Sequence, residues 1–128
     1  MIKKAITSDK APRAIGPYSQ GIRIKGLLFL SGQIPVDPAT GDVVSGDVGA
    51  QTRRVLTNLK TILEEAGGGI NDIVKTTVFL KDLGAFNEMN ATYEEFFAPP
   101  YPARATVGVN ALPKGVGVEI DAIAVVSE

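Results

Sequence analysis

Residues 117–126 read GVEIDAIAVV. A run this rich in Val, Ile and Ala, opened by Gly, reads as a β-strand. Side chains alternate along a strand. Val118, Ile120, Ala122, Ala124 and Val126 therefore share one face, and Glu119, Asp121, Ile123 and Val125 share the other. Residues 27–32, LLFLSG, are likewise apolar at odd and even positions. Strands apolar on both sides are buried on both sides, so the fold must provide cover for two faces of its sheet.

Working outward, residues 21–32, GIRIKGLLFLSG, form a hairpin that turns at Lys25-Gly26, with Gly supplying the turn. Residues 33–47, QIPVDPATGDVVSGD, are rich in Pro, Gly and Asp and read as a loop. Val48, Thr52, Val55, Leu56, Leu59, Ile62, Leu63 and Ala66 then recur at helical spacing. Asp47 is placed to cap that helix, and Gly67 to Gly69 end it. DIVKTTVFLKD (72–82) is a strand rich in β-branched residues. Phe86, Met89, Tyr93, Phe96 and Phe97 make a second helical stripe, read as core and stopped by Pro99-Pro100. Strands around 104–109 and 117–126 close the chain, joined by NALPKG. The order is β-β-β-α-β-α-β-β over a single domain, 1–128, in the α+β class. Two helices cover only one face of about six strands. The doubly apolar strands therefore predict an oligomer that covers the other.

Composition narrows the chemistry. The chain has no Cys and no His, which excludes disulfides, thiolate nucleophiles, Ser-His triads and nearly all zinc sites. Acid–base work falls to Asp, Glu, Lys, Tyr or water. The 13 basic and 14 acidic residues are mixed along the chain, for a net charge of −1, which argues against a nucleic-acid or anionic-membrane surface. Lys3 and Lys4 are followed by no apolar stretch of signal-peptide type, and no apolar run approaches the ~20 residues of a membrane span. The expected location is the cytoplasm. Other patterns are weak: AGGGIND and GVGVE lack the strand–loop–helix setting of a phosphate site. Asp37, Asp42 and Asp47 are spaced wrongly for a calcium loop, and no metal site is read.

Two charges interrupt the most apolar strands. Arg104 lies in PARATVGV, where it shares a face with Thr106, opposite Ala105, Val107 and Val109. Glu119 lies in GVEIDAIAVV. A structural ion pair is one reading. Against it, desolvating two ions costs several kcal/mol. The alternative is a site in which the planar fork of Arg104 grips a carboxylate and Glu119 holds a water. The two would meet if their strands, or copies of them in a neighbouring subunit, lie close. Tyr18, in AIGPYSQ, sits at a strand entrance as a packing plug or a pocket wall.

Taken together, AIGPYSQG (14–21), LSGQIPVDPATG (30–41), VKTTVFLKDL (74–83), NATYEEFF (90–97) and PARATV…LPKGVGVEIDAIAV (102–125) resemble, in order and spacing, the RidA/YjgF/YER057c/UK114 family. The resemblance covers essentially the whole chain. It implies a chorismate-mutase-like α+β fold: one mixed sheet with two helices on one face, and a homotrimer with a central β-barrel and clefts between subunits. It implies hydrolysis of reactive 2-imino acids, such as 2-iminobutanoate and 2-iminopropanoate, to 2-keto acids and ammonia, without a cofactor. By position, Arg104 matches the arginine that binds the substrate carboxylate, and Glu119 the glutamate that positions water. Tyr18, Ser31, Gly32 and Asn90 match residues of the pocket wall or its support. Thr106 stands where many relatives have Cys. Members of the family have also been described as translation inhibitors or ribonucleases, and a non-catalytic ligand-binding or chaperone-like trimer would share the same clefts.

Overall fold

The computed structural model describes residues 2–127. Its elements are β1 (Lys4–Ile6), β2 (Gly21–Ile24), β3 (Leu27–Gln33), α1 (Val48–Glu65), β4 (Ile73–Leu80), α2 (Phe86–Phe96), β5 (Ala103–Gly108) and β6 (Val118–Val125). Short 3₁₀ turns precede β4, α2 and β6; the sequence reading did not separate these from loops. The strands form one sheet in the order β1-β2-β3-β6-β4-β5. Every neighbouring pair is antiparallel except β4 and β5. That parallel pair needs a crossover, and α2 supplies it.

Local chemistry sets the boundaries. The Asp47 carboxylate accepts from the Ala50 N–H at 2.9 Å, capping α1. At the far end Gly67 takes φ +82°. The Gly68 N–H donates to the Leu63 carbonyl at 2.9 Å, and the Gly67 N–H to Glu64 at 3.1 Å. This is the Schellman pattern, in which glycine takes the left-handed position. The β2–β3 turn falls at Lys25-Gly26 as expected. Lys25 itself takes the left-handed conformation there, at φ 52°, a role the sequence reading gave to the glycine.

Both helices lie on one face of the sheet. Leu56, Leu59, Ile62 and Leu63 of α1 and Met89 of α2 meet Leu28, Val78, Leu80, Val118 and Ile120 from the strands, all fully buried. Burying each such side chain contributes roughly 1.5–3 kcal/mol. The opposite face has no cover. Leu27, Phe29, Val107 and Val125 there remain 40–47% exposed. Ile123, paired with Phe29, continues the same bare apolar surface. The register of β3 against β6 shifts between Leu30 and Gln33, a bulge that sets Ser31 and Gly32 apart from the regular ladder.

Candidate functional site

Arg104 sits on β5, the outermost strand at its end of the sheet. In the parallel ladder it is level with Thr76, so it shares the helix-covered face. Its guanidinium carbon lies 4.7 Å from the Tyr93 ring centre and 5.6 Å from that of Phe86. Both rings come from α2. Tyr93 is anchored from behind, its hydroxyl 2.7 Å from Thr76 Oγ1 inside the core. Burial pushes the Tyr93 hydroxyl up from its ordinary pKa, against smaller lowering effects of Thr76 and Arg104. Arg104 opens into a cleft of about 460 Å³ lined by Asn90, Tyr93, Glu94, Tyr101 and Pro102. Thr106 is level with Val78 and shares the face of Arg104. It does not line that cleft.

Glu119 belongs to the other face. On β6 it is level with Phe79 of β4, whereas Ile120 next to it is level with Val78 and points into the core. Gly32 lies against Glu119 so closely that a Cβ there would land on the carboxylate. A side chain at position 32 would displace the acid, which explains a glycine at the bulge. Burial, and secondarily the Asp121 carboxylate on the same face, raise the pKa of Glu119. Both effects disfavour the ionised form. Gly32 also lines a cavity of about 660 Å³, together with Tyr18, Gln20, Ile34 and Lys114.

The hydrogen bonds of this second region explain the remaining positions. Ser31 Oγ donates to the Ser19 carbonyl at 2.6 Å, and the Ser31 N–H to the Gln20 carbonyl at 3.0 Å. Ser31 thus supports the segment that carries Tyr18. Tyr18 Oη accepts from the Ile15 N–H at 3.3 Å. Buried Gln20 accepts from the Ser8 N–H at 2.6 Å and donates to the Pro12 carbonyl at 2.7 Å. It holds the N-terminal segment beside the cavity. Lys114, on the cavity wall, takes φ 56°.

The seven candidate residues therefore fall into two groups. Arg104, Asn90 and Thr106 lie on the helix side of the sheet. Tyr18, Ser31, Gly32 and Glu119 lie around the bulge and the bare face. Within one subunit Arg104 and Glu119 do not meet: β4 separates their strands, and they point to opposite faces. Neither has an ion-pair partner among the described residues, where Arg53–Glu95 on the surface, at 2.9 Å, is the one salt bridge. The sequence reading missed Tyr93 and Phe86 as neighbours of Arg104 because both were absorbed into the core stripe. The available signal was their spacing: Phe86, Asn90 and Tyr93 are four and three residues apart and share a helix face. Gln20 and Lys114 carried no comparable signal.

No helix among the described residues is long and apolar enough to cross a membrane. Residues 8–126 match the family model described as Endoribonuclease L-PSP. The chain is 53% identical to a RutC family protein of Pyrococcus abyssi, over 97% of this chain and 98% of that one. It is 54% identical to the 2-iminobutanoate/2-iminopropanoate deaminase of Salmonella typhimurium, again over 97% and 98%. Among solved structures it is similar to Escherichia coli TdcF with bound serine, at a TM-score of 0.92 and 48% identity, covering 97% of this chain and 99% of that one. With its mixed six-stranded sheet, its two helices on one face and a match running nearly end to end, this chain belongs to the Endoribonuclease L-PSP family, which is the RidA/YjgF family.

Proposed function

We propose that this protein hydrolyses 2-imino acids to 2-keto acids and ammonia, in a cleft that two subunits of a homotrimer build together. The observation that carries the reading is the pair of unmatched charges on opposite faces of one sheet. Arg104 has aromatic rings around it and no salt-bridge partner among the described residues, although Glu94 lines the same cleft. Glu119 is half-buried on an apolar face and has no cation. A head-to-tail contact between identical subunits, closed into a ring, would bring Arg104 of one copy to Glu119 of the next and would cover the bare face.

The chemistry follows from the groups. Arg104 accommodates the carboxylate of the iminium acid through two parallel N–H donors. Glu119 accepts a proton from water as its oxygen bonds to the C=N carbon, giving a tetrahedral carbinolamine. The proton then passes to the amino nitrogen, the C–N bond breaks as the hydroxyl proton returns to the Glu119 carboxylate, and ammonia leaves with the keto acid behind; Glu119 finally gives that proton to ammonia or solvent. Water is the only co-reactant, and a protonated imine is electrophilic enough to need no covalent nucleophile. A carboxylate whose pKa is raised is a better base than an ordinary one, because the best base has a pKa near the working pH. The name of the Salmonella relative supports the substrate class. The family description supports a second reading, RNA cleavage; the absence of His and the net charge of −1 weigh against it.

The test mixes subunits. Arg104→Ala and Glu119→Gln each remove imine hydrolysis, followed as loss of a trapped imine adduct when an amino-acid oxidase supplies the substrate. Co-refolded in equal amounts, the two variants recover about a quarter of the wild-type sites, as random assortment into closed three-membered rings requires. A mixture as inactive as its components would refute the shared cleft, and full activity of Arg104→Ala alone would refute the site.

A further inference from the structure

Arg104 reaches its cleft without a salt bridge among the described residues, although Glu94 also lines that cleft. The Thr76 hydroxyl fixes the Tyr93 hydroxyl at 2.7 Å, and Tyr93 is buried. The Tyr93 ring lies 4.7 Å from the guanidinium carbon, and the Phe86 ring 5.6 Å away. A guanidinium over a ring face is attracted by the ring's quadrupole, and the two planes can stack. Such a contact fixes the plane of the fork while leaving its N–H donors free. A salt bridge would orient the same group but would occupy those donors and neutralise the charge.

We propose that Tyr93, backed by Thr76 and seconded by Phe86, is a positioning residue that sets the plane of Arg104 for a bidentate grip on the substrate carboxylate. This rests on the assignment of Arg104 as the carboxylate anchor. The neutral state of Tyr93 suits the role: burial holds its hydroxyl protonated, so it can share a hydrogen bond with Thr76 and adds no anion beside the arginine. Asn90, one helical turn before Tyr93, lines the same cleft and completes its floor.

An anchor that grips ground state and transition state alike governs KM and leaves kcat alone. Tyr93→Leu keeps an apolar side chain but removes the ring. It raises KM for 2-iminobutanoate by roughly tenfold, the scale of a desolvated cation–π contact, with kcat little changed. It weakens binding of 2-ketobutanoate, titrated calorimetrically, by the same factor. Tyr93→Phe keeps the ring and loses the hydroxyl, with its Thr76 bond and its weaker influence on Arg104, so it lowers the melting temperature while KM rises far less than in Tyr93→Leu. Phe86→Leu, at a less buried ring, gives a smaller rise in KM and stands in should Tyr93→Leu fail to fold. Wild-type KM in both leucine variants, or a loss confined to kcat, overturns the positioning role. Arg104→Ala is the control: if it leaves 2-ketobutanoate binding intact, the anchor assignment itself fails, whereas an effect there with none at Tyr93 and Phe86 sinks the seat alone.

Discussion

The two faces of the sheet handle charge in opposite ways. On the helix-covered face, Arg104 sits at the edge against aromatic rings, level with Thr76 and two residues from Thr106, while the core beyond is sealed by α1 and α2. On the bare face, Glu119 stands over a glycine among apolar residues that nothing in the subunit covers. The cation is positioned by its own chain. Burial raises the pKa of the acid, and no cation among the described residues pairs with it. A charged residue in an apolar strand thus means different things on different faces, and alternation alone does not tell them apart.

The sharpest way to break this comparison is Glu119→Gln. It retains shape and hydrogen bonding but removes the base, and kcat falls by roughly 10²–10⁴-fold, the usual range for a positioned acid or base. Binding of 2-ketobutanoate changes little, in contrast to the ring variants near Arg104. Unchanged turnover would make Glu119 a structural residue. Next come two neighbours on β3. Leu30 faces the core, and Leu30→Ala costs about 2–5 kcal/mol of stability, measured by denaturant unfolding. Phe29 faces the bare side, and Phe29→Ser leaves secondary structure intact but shifts the species seen by sedimentation toward monomer. A monomeric wild type, or equal loss of stability in both variants, would erase the distinction between the faces.

The smallest effect concerns pH. A general base works only when ionised, so kcat falls as pH drops through the pKa of Glu119, which is raised from its ordinary value. Burial is the larger cause of that rise and Asp121 the smaller. Asp121→Asn removes a like charge, favours the ionised form of Glu119, and moves the acid limb of the rate profile modestly to lower pH. Stability runs the opposite way with pH. A carboxyl with a raised pKa in the folded state favours folding most below the unfolded value, and that contribution disappears as pH rises through the folded value. An acid limb that moves upward would exclude Asp121 as a source of the shift.

Much of the fold was legible because it rests on local chemistry. Period-2 and period-3.6 patterns, Asp47 and Gly67 marked the elements and their ends, and the doubly apolar β3 and β6 announced an uncovered face. Strand order was not legible in the residues, since the insertion of β6 between β3 and β4 depends on long-range pairing. Arg104 and Glu119 were legible as misplaced charges, but their relation was not, and Ser31, Gly32 and Asn90 were legible only through the family resemblance. Arg104 and Glu119 alternate correctly within their own strands, yet only the register through β4 shows that they diverge. Tyr93 was hidden for a related reason: an aromatic at helical spacing signals core, and here the same ring fills the core with one edge and faces Arg104 with its plane.

Arg104 is carried by a strand with a neighbour on one side only, β5. If its cleft is completed by the next subunit, a carboxylic ligand bound there is also a tie between subunits. By mass action, whatever binds the assembled form and not the separated one stabilises the assembly. Keto-acid product would then slow the dissociation of the ring, and dilution would cost activity before it cost folding. On the proposed reading, the active fraction at low protein concentration is set by encounter between copies, with the bound ligand itself helping to keep them together.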